Sequence, residues 1–130
     1  MPRILVADDD DLLGELLRFK LESVGYEVTV VGDGEAALGE AQSGDYDLVV
    51  LDAMMPVLSG PEVLRVLRGA PRTDALPIVM LTSRKAQTEV AAALRSGAND
   101  YLTKPFIPDE LVARVRAILK AESGRGRNAA

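Results

Sequence analysis

Four aspartates in succession, Asp8 to Asp11, follow a short apolar run, ILVA at residues 4–7. Adjacent like charges repel and suit a strand badly. They read either as the start of a solvated helix or as groups gathered around a cation. Asp52 closes a second apolar run, LVVL at 48–51, and Thr82 with Ser83 closes a third, IVML at 78–81. Lys104, followed by Pro105, closes a shorter run at 101–103. Carboxylates, a hydroxyl and one ammonium thus each stand where a buried run ends. If Asp8, Asp9 and Asp52 converge, two unit charges about 5 Å apart at an effective dielectric of about 20 repel by roughly 3 kcal/mol. Such a trio needs counter-charge or raised pKa values. Lys104 supplies one positive charge, and a divalent ion supplies the rest. An all-oxygen donor set selects a hard cation, Mg²⁺ foremost. A carboxylate beside Mg²⁺, with Lys104 and Thr82 near, is suited to attack a phosphoryl group and form an aspartyl phosphate. Asp10 and Asp11 read as the start of the first helix, where negative charge is favoured.

Composition narrows the alternatives. The 130 residues suit one domain with a core of its own. There is no cysteine and no histidine, which removes disulfides, thiolate and imidazole zinc sites, serine–histidine triads and histidine phosphocarriers. The net charge of -5 argues against direct nucleic-acid binding by this domain. No signal peptide or membrane-length apolar stretch is visible, so a soluble cytoplasmic protein is expected.

The elements that must position these groups follow from apolar periodicity. Residues 4–7, 27–31, 48–51, 78–81 and 101–103 read as strands. The run at 48–51 is apolar throughout, as in a parallel sheet covered on both faces. Leu12, Leu13, Leu16, Leu17, Leu21 and Val24 recur at helical spacing up to Gly25. Asp33 caps a second helix, Gly60 and Pro61 open a third, and a fourth spans 87–95. The last begins at Pro108, with Phe106 and Leu111 spaced as a hydrophobic staple. From Ala121 on, the composition turns small and polar, giving a folded unit at 1–121 and a flexible tail or linker start at 122–130. Alternating strands and helices imply an α/β, doubly wound parallel sheet with helices on both faces. Its site belongs at the carboxyl ends of the strands, where the polar residues fall.

The stretches ILVADD, LVVLDAMMP, IVMLTS and GANDYLTKPF, in that order and spacing, resemble the receiver domain of two-component response regulators over about residues 3–120. The resemblance implies a five-stranded flavodoxin-like sheet of order 2-1-3-4-5. It implies Asp52 as phosphoacceptor, Asp9 as direct Mg²⁺ ligand, Asp8 acting through water, and the Met54 backbone carbonyl as a further ligand. Thr82 and Lys104 would bind the phosphoryl group, Tyr101 would be the switch aromatic, and the Lys104–Pro105 bond would be cis. A sensor histidine kinase or histidine phosphotransfer protein would be the donor. The output would be a switched face made of the helix at 87–95, the strand at 101–103 and the last helix. The domain would be a signalling switch that catalyses only its own phosphorylation and dephosphorylation.

Several residues depart from the family pattern or add to it. Met54 and Arg84 would shield the acyl phosphate from water, and Ser83 leaves room for a donor. Val57 and Leu58 stand where polar residues are usual. Asp100, Glu110 and Arg114 fit a phosphorylation-dependent homodimer, but its basic partner near Val90 is missing. The alternative is a Mg²⁺-dependent phosphohydrolase with an aspartyl-phosphate intermediate. It lacks the usual second acid, because Met54 stands two residues after Asp52.

Overall fold

The computed structural model describes residues 1–83 and 97–129, with side chains through Ser123. Strands Arg3–Ala7 (β1), Glu27–Val31 (β2), Leu48–Asp52 (β3), Ile78–Ser83 (β4) and Asp100–Lys104 (β5) pair in parallel, in the order β2-β1-β3-β4-β5. Helices Asp11–Ser23 (α1), Gly34–Ser43 (α2) and Gly60–Arg68 (α3), with a C-terminal helix Pro108–Ala129, cover the sheet. This is the expected doubly wound fold. The helix expected at 87–95, with Arg84 and Val90, lies outside the described residues.

Successive strand side chains point to opposite faces. Leu5, Ala7, Val49, Leu51, Ile78 and Met80 therefore pack against Ala37 and Ala41 of α2 and Val63, Leu64 and Leu67 of α3. The alternate residues Ile4, Val6, Leu48, Val50, Val79 and Leu81 pack against Leu17 and Leu21 of α1 and Leu111, Val112 and Val115 of the C-terminal helix. A central strand with both faces covered is apolar along its core, as Leu48 to Leu51 are, and β3 is buried along its whole length, Asp52 included. Among the described residues no helix is long and apolar enough to cross a membrane.

The structure departs from the sequence reading in three places. β3 and β4 run on through Asp52 and through Thr82 and Ser83, and β5 includes Lys104. Ladder pairing needs only the backbone, so a polar side chain can close a strand that apolarity would end earlier. On α1, Leu17 and Leu21 are buried, whereas Leu12 and Leu16 are exposed together with Phe19. Residues 13, 17 and 21 form one face of the helix, and 12, 16 and 19 lie off it. The C-terminal helix continues to Ala129, into the segment read as a tail. Helix propagation adds one hydrogen bond per residue, and the glycines after Ser123 raise its cost without ending it.

Helix starts are set by short polar side chains. Asp33 accepts from the Ala36 N–H at 2.7 Å. Ser59 and Glu62 form a reciprocal capping box at α3, which the sequence reading did not identify. Ser59→Ala removes this cap and is expected to cost about 1 kcal/mol, read as a lowered urea midpoint with an unchanged m-value.

Candidate functional site: an acidic pocket at the strand ends

The aspartates after β1 divide their work by position. The Asp8 N–H donates to the Val31 carbonyl at 3.1 Å, so the backbone stays against β2 one residue past β1. Asp8 Oδ1 then accepts from the Asp10 N–H at 2.9 Å, which turns the chain and holds the carboxylate inward. Asp10 caps α1, accepting from the Leu13 N–H at 3.1 Å. Asp11 stands in the first helical turn. Asp9 is exposed beside the pocket, while Asp8 is 1% exposed.

Asp52 arrives from β3, itself only 4% exposed. One carboxylate oxygen from each of Asp8, Asp9 and Asp52 lies within 4.8 Å of the others. Lys104, at the end of β5, supplies the counter-charge. Its Nζ is 2.8 Å from Asp8 Oδ2 and 3.5 Å from Asp52 Oδ1. The tighter contact is thus with Asp8. The expected convergence of Asp8, Asp9, Asp52 and Lys104 is what the structure places together.

The electrostatics follow from that geometry. Burial, then the Asp8 charge, pushes the Asp52 carboxyl up to about 6, against the opposing pull of Lys104 and the Met54 N–H. Burial alone would lower the Lys104 ammonium, but the Asp8 hydrogen bond and the charges of Asp52 and Asp8 outweigh it and raise it. Three carboxylates answered by one ammonium leave an excess of negative charge. With only oxygen donors, the pocket fits a hard divalent cation.

Thr82, near the end of β4, is 2% exposed, and its hydroxyl has no hydrogen-bond partner among the described residues. A buried hydroxyl left unpaired costs free energy, so this one is available to an incoming group. Tyr101 is half-buried and packs against the α2–α3 side of the core. The Lys104–Pro105 bond is cis, as the resemblance implied. The Met54 side chain is exposed, and its N–H faces Asp52 Oδ1 at 3.4 Å. Leu58 packs into the core, whereas Val57 is exposed. Asp100 and Arg114 are joined within the chain, Nη1 to Oδ1 at 2.8 Å.

One residue at the site was read only as a helix opener. A Cβ on Gly60 would overlap the Asp52 carbonyl oxygen and lie 2.8 Å from the Ala53 Cα. The Gly60 N–H also donates to the Ala53 carbonyl at 3.0 Å. Only glycine lets α3 begin directly against the end of β3. The GP pair in the sequence marked the helix start but carried no sign of this contact.

The family model of the response regulator receiver domain matches residues 4–116. The chain is 48% identical over 118 residues to the DNA-binding response regulator MtrA of Mycolicibacterium smegmatis, covering 91% of this chain and 50% of that protein. It is 44% identical over 120 residues to the phosphate regulon transcriptional regulatory protein PhoB of Rhizobium meliloti, covering 92% and 53%. The chain therefore spans about half the length of these curated relatives. The receiver domain of Francisella response regulator 1452 superposes with a TM-score of 0.87 at 38% identity, covering 94% of this chain and 99% of that one. The receiver domain of the sensor histidine kinase PA1611 from Pseudomonas aeruginosa PAO1, with a magnesium ion coordinated in its active site cleft, gives 0.79 at 34% identity, covering 92% and 95%.

Proposed function

This chain belongs to the response regulator receiver domain family, and from that membership we propose that it is a phosphorylation-controlled switch whose phosphoacceptor is Asp52. The observation that carries the reading is the setting of Asp52. It is a buried carboxylate crowded by Asp8, answered by Lys104, with the Thr82 hydroxyl, which has no partner among the described residues, one strand away. An Asp52 oxygen attacks the phosphorus of a phosphohistidine presented by a sensor histidine kinase or a histidine phosphotransfer protein. The O–P bond forms as the P–N bond breaks, and the imidazole nitrogen leaves with the electron pair.

Asp8, Asp9 and Asp52, with the Met54 backbone carbonyl, would hold Mg²⁺. When bound, the ion offsets negative charge developing on the transferring oxygens. Lys104 pairs with a phosphoryl oxygen, and Thr82 donates its hydroxyl to another. These two attractions bias the neighbouring strand ends and the packing of Tyr101, which is how a local charge reaches a partner surface. In a homodimer through this face, Asp100 and Arg114 would meet the partner copy while already paired within one chain, through Nη1 of Arg114. The receiver unit occupies residues 1–121, and 122–130, helical as far as Ala129, are a tail or the start of a linker.

The test is mass spectrometry of the intact protein after incubation with Mg²⁺ and acetyl phosphate. One phosphoryl group should be added to the wild type and lost again in hydroxylamine. No addition from any phosphodonor at any Mg²⁺ concentration would sink the proposal. Asp9→Ala removes an exposed carboxylate that lies within 4.8 Å of those of Asp8 and Asp52. It should weaken Mg²⁺ binding about 10-fold or more by calorimetry and not lower the melting temperature of the metal-free protein, because a like charge leaves the pocket.

A further inference from the structure

The loop joining β3 to α3, residues 53–59, follows Asp52 directly and ends at the Ser59 cap. In its middle the Leu58 N–H donates to the Pro56 carbonyl at 2.9 Å, across Val57, whose φ is 72°. A hydrogen bond from residue i+2 to i, with positive φ at the residue between, marks the rare and strained form of γ-turn. A β-branched residue is badly suited to it. Such strain persists only where the surroundings over-determine it.

The surroundings here include α2. The Pro56 carbonyl accepts a second hydrogen bond, from the Gly34 N–H at 3.3 Å. Gly34 is the first residue of α2, and it is buried. Its N–H is one of the helix-start donors that have no partner within the helix, so the loop satisfies it. A Cβ on Gly34 would overlap the Leu58 carbonyl oxygen and lie 2.6 Å from the Leu58 Cβ. Leu58 in turn packs into the core that α2 and α3 share.

We propose that Gly34 is a positioning residue for the acidic pocket, latching the strained turn at Val57 through its N–H and its lack of a side chain. The latch holds the segment from Asp52 to Pro56, and with it the Met54 backbone, in register with Asp8 and Asp9. The inference rests on the reading of Asp52 and Met54 as Mg²⁺ ligands. None of the pocket carboxylates is on α2; α2 packs on β1 through Ala37 and Ala41, and it meets the β3–α3 loop at Gly34.

The experiment is calorimetric titration of the full chain with Mg²⁺ alone, beside thermal melts without metal. Three proteins are compared: wild type, Gly34→Ala, and the double variant Gly34→Ala with Val57→Gly. Gly34→Ala should bind Mg²⁺ about 10-fold or more weakly, the scale of losing support for a ligand. Glycine at 57 lets the loop yield to the new methyl group. The double variant should therefore melt closer to wild type and still bind Mg²⁺ weakly. Wild-type affinity in Gly34→Ala, or affinity that returns in step with melting temperature in the double variant, overturns the inference. A wild type that binds no Mg²⁺ overturns the reading of the site itself.

Discussion

Asp52→Asn is expected to abolish acetyl phosphate labelling and, without metal, to make the protein more stable at neutral pH. The first effect follows from removing the nucleophile. The second follows from the carboxyl's pKa of about 6 in the fold, against an ordinary 3.8. The folded state holds the Asp52 proton up to about pH 6, while the unfolded chain releases it near 3.8. Between those values the native state binds more protons, so its stability falls as pH rises. A difference of about 2 units is worth up to roughly 3 kcal/mol. Asparagine resembles the protonated acid and carries no such dependence. The gain over wild type should be near zero below about pH 4, grow through the window and level off above about pH 6, at about 1–3 kcal/mol. Urea denaturation of both proteins in a chelator, at matched pH from 4 to 7.5, reads the difference directly. Equal stability of the two proteins at neutral pH would show that Asp52 is not held in a repulsive setting.

Lys104→Met should act in the opposite direction. Lys104 is the cation of the pocket, 2.8 Å from Asp8 and 3.5 Å from Asp52. Methionine keeps most of the stem and deletes the charge, leaving two nearly buried carboxylates facing each other. Removing one partner of a fully buried pair costs about 3–5 kcal/mol. The Lys104 side chain is 29% exposed, so solvent screens part of this, and about 2–3 kcal/mol at pH 7 is expected. The loss should shrink as pH falls, because a carboxyl that takes up a proton no longer needs the ammonium. Mg²⁺ supplies the missing positive charge. At about 100 times its Kd it should restore roughly 2.7 kcal/mol through binding to the folded state alone. Wild-type urea midpoints for the metal-free variant at pH 7 would contradict the pairing of Lys104 with both carboxylates.

Much of the site was legible because strand ends announce themselves. An apolar run that stops at a carboxylate, a hydroxyl or an ammonium marks where a buried strand reaches the edge of the sheet, and polar groups from neighbouring strands meet there. Asp8, Asp52, Thr82 and Lys104 all stand at such stops. Leu12 and Leu16 show the limit of the same reasoning. Their spacing is helical, but their exposure depends on which face of α1 meets the sheet.

The amino-acid sequence by itself determined the alternation of strands and helices, the burial of β3 on both faces, and the set of polar residues at one edge of the sheet. These depend on periodicity and on chain neighbours, and both are local. Tertiary structure decided that Lys104, with β3 and β4 between its strand and β1, reaches Asp8 more closely than Asp52. It decided that the Thr82 hydroxyl has no partner among the described residues, and that Gly34 and Gly60 press backbone against backbone around the β3–α3 loop. The reason is reach: a contact between groups 96 positions apart is set by strand register and by the angle at which helices meet the sheet, neither of which any short stretch of residues encodes.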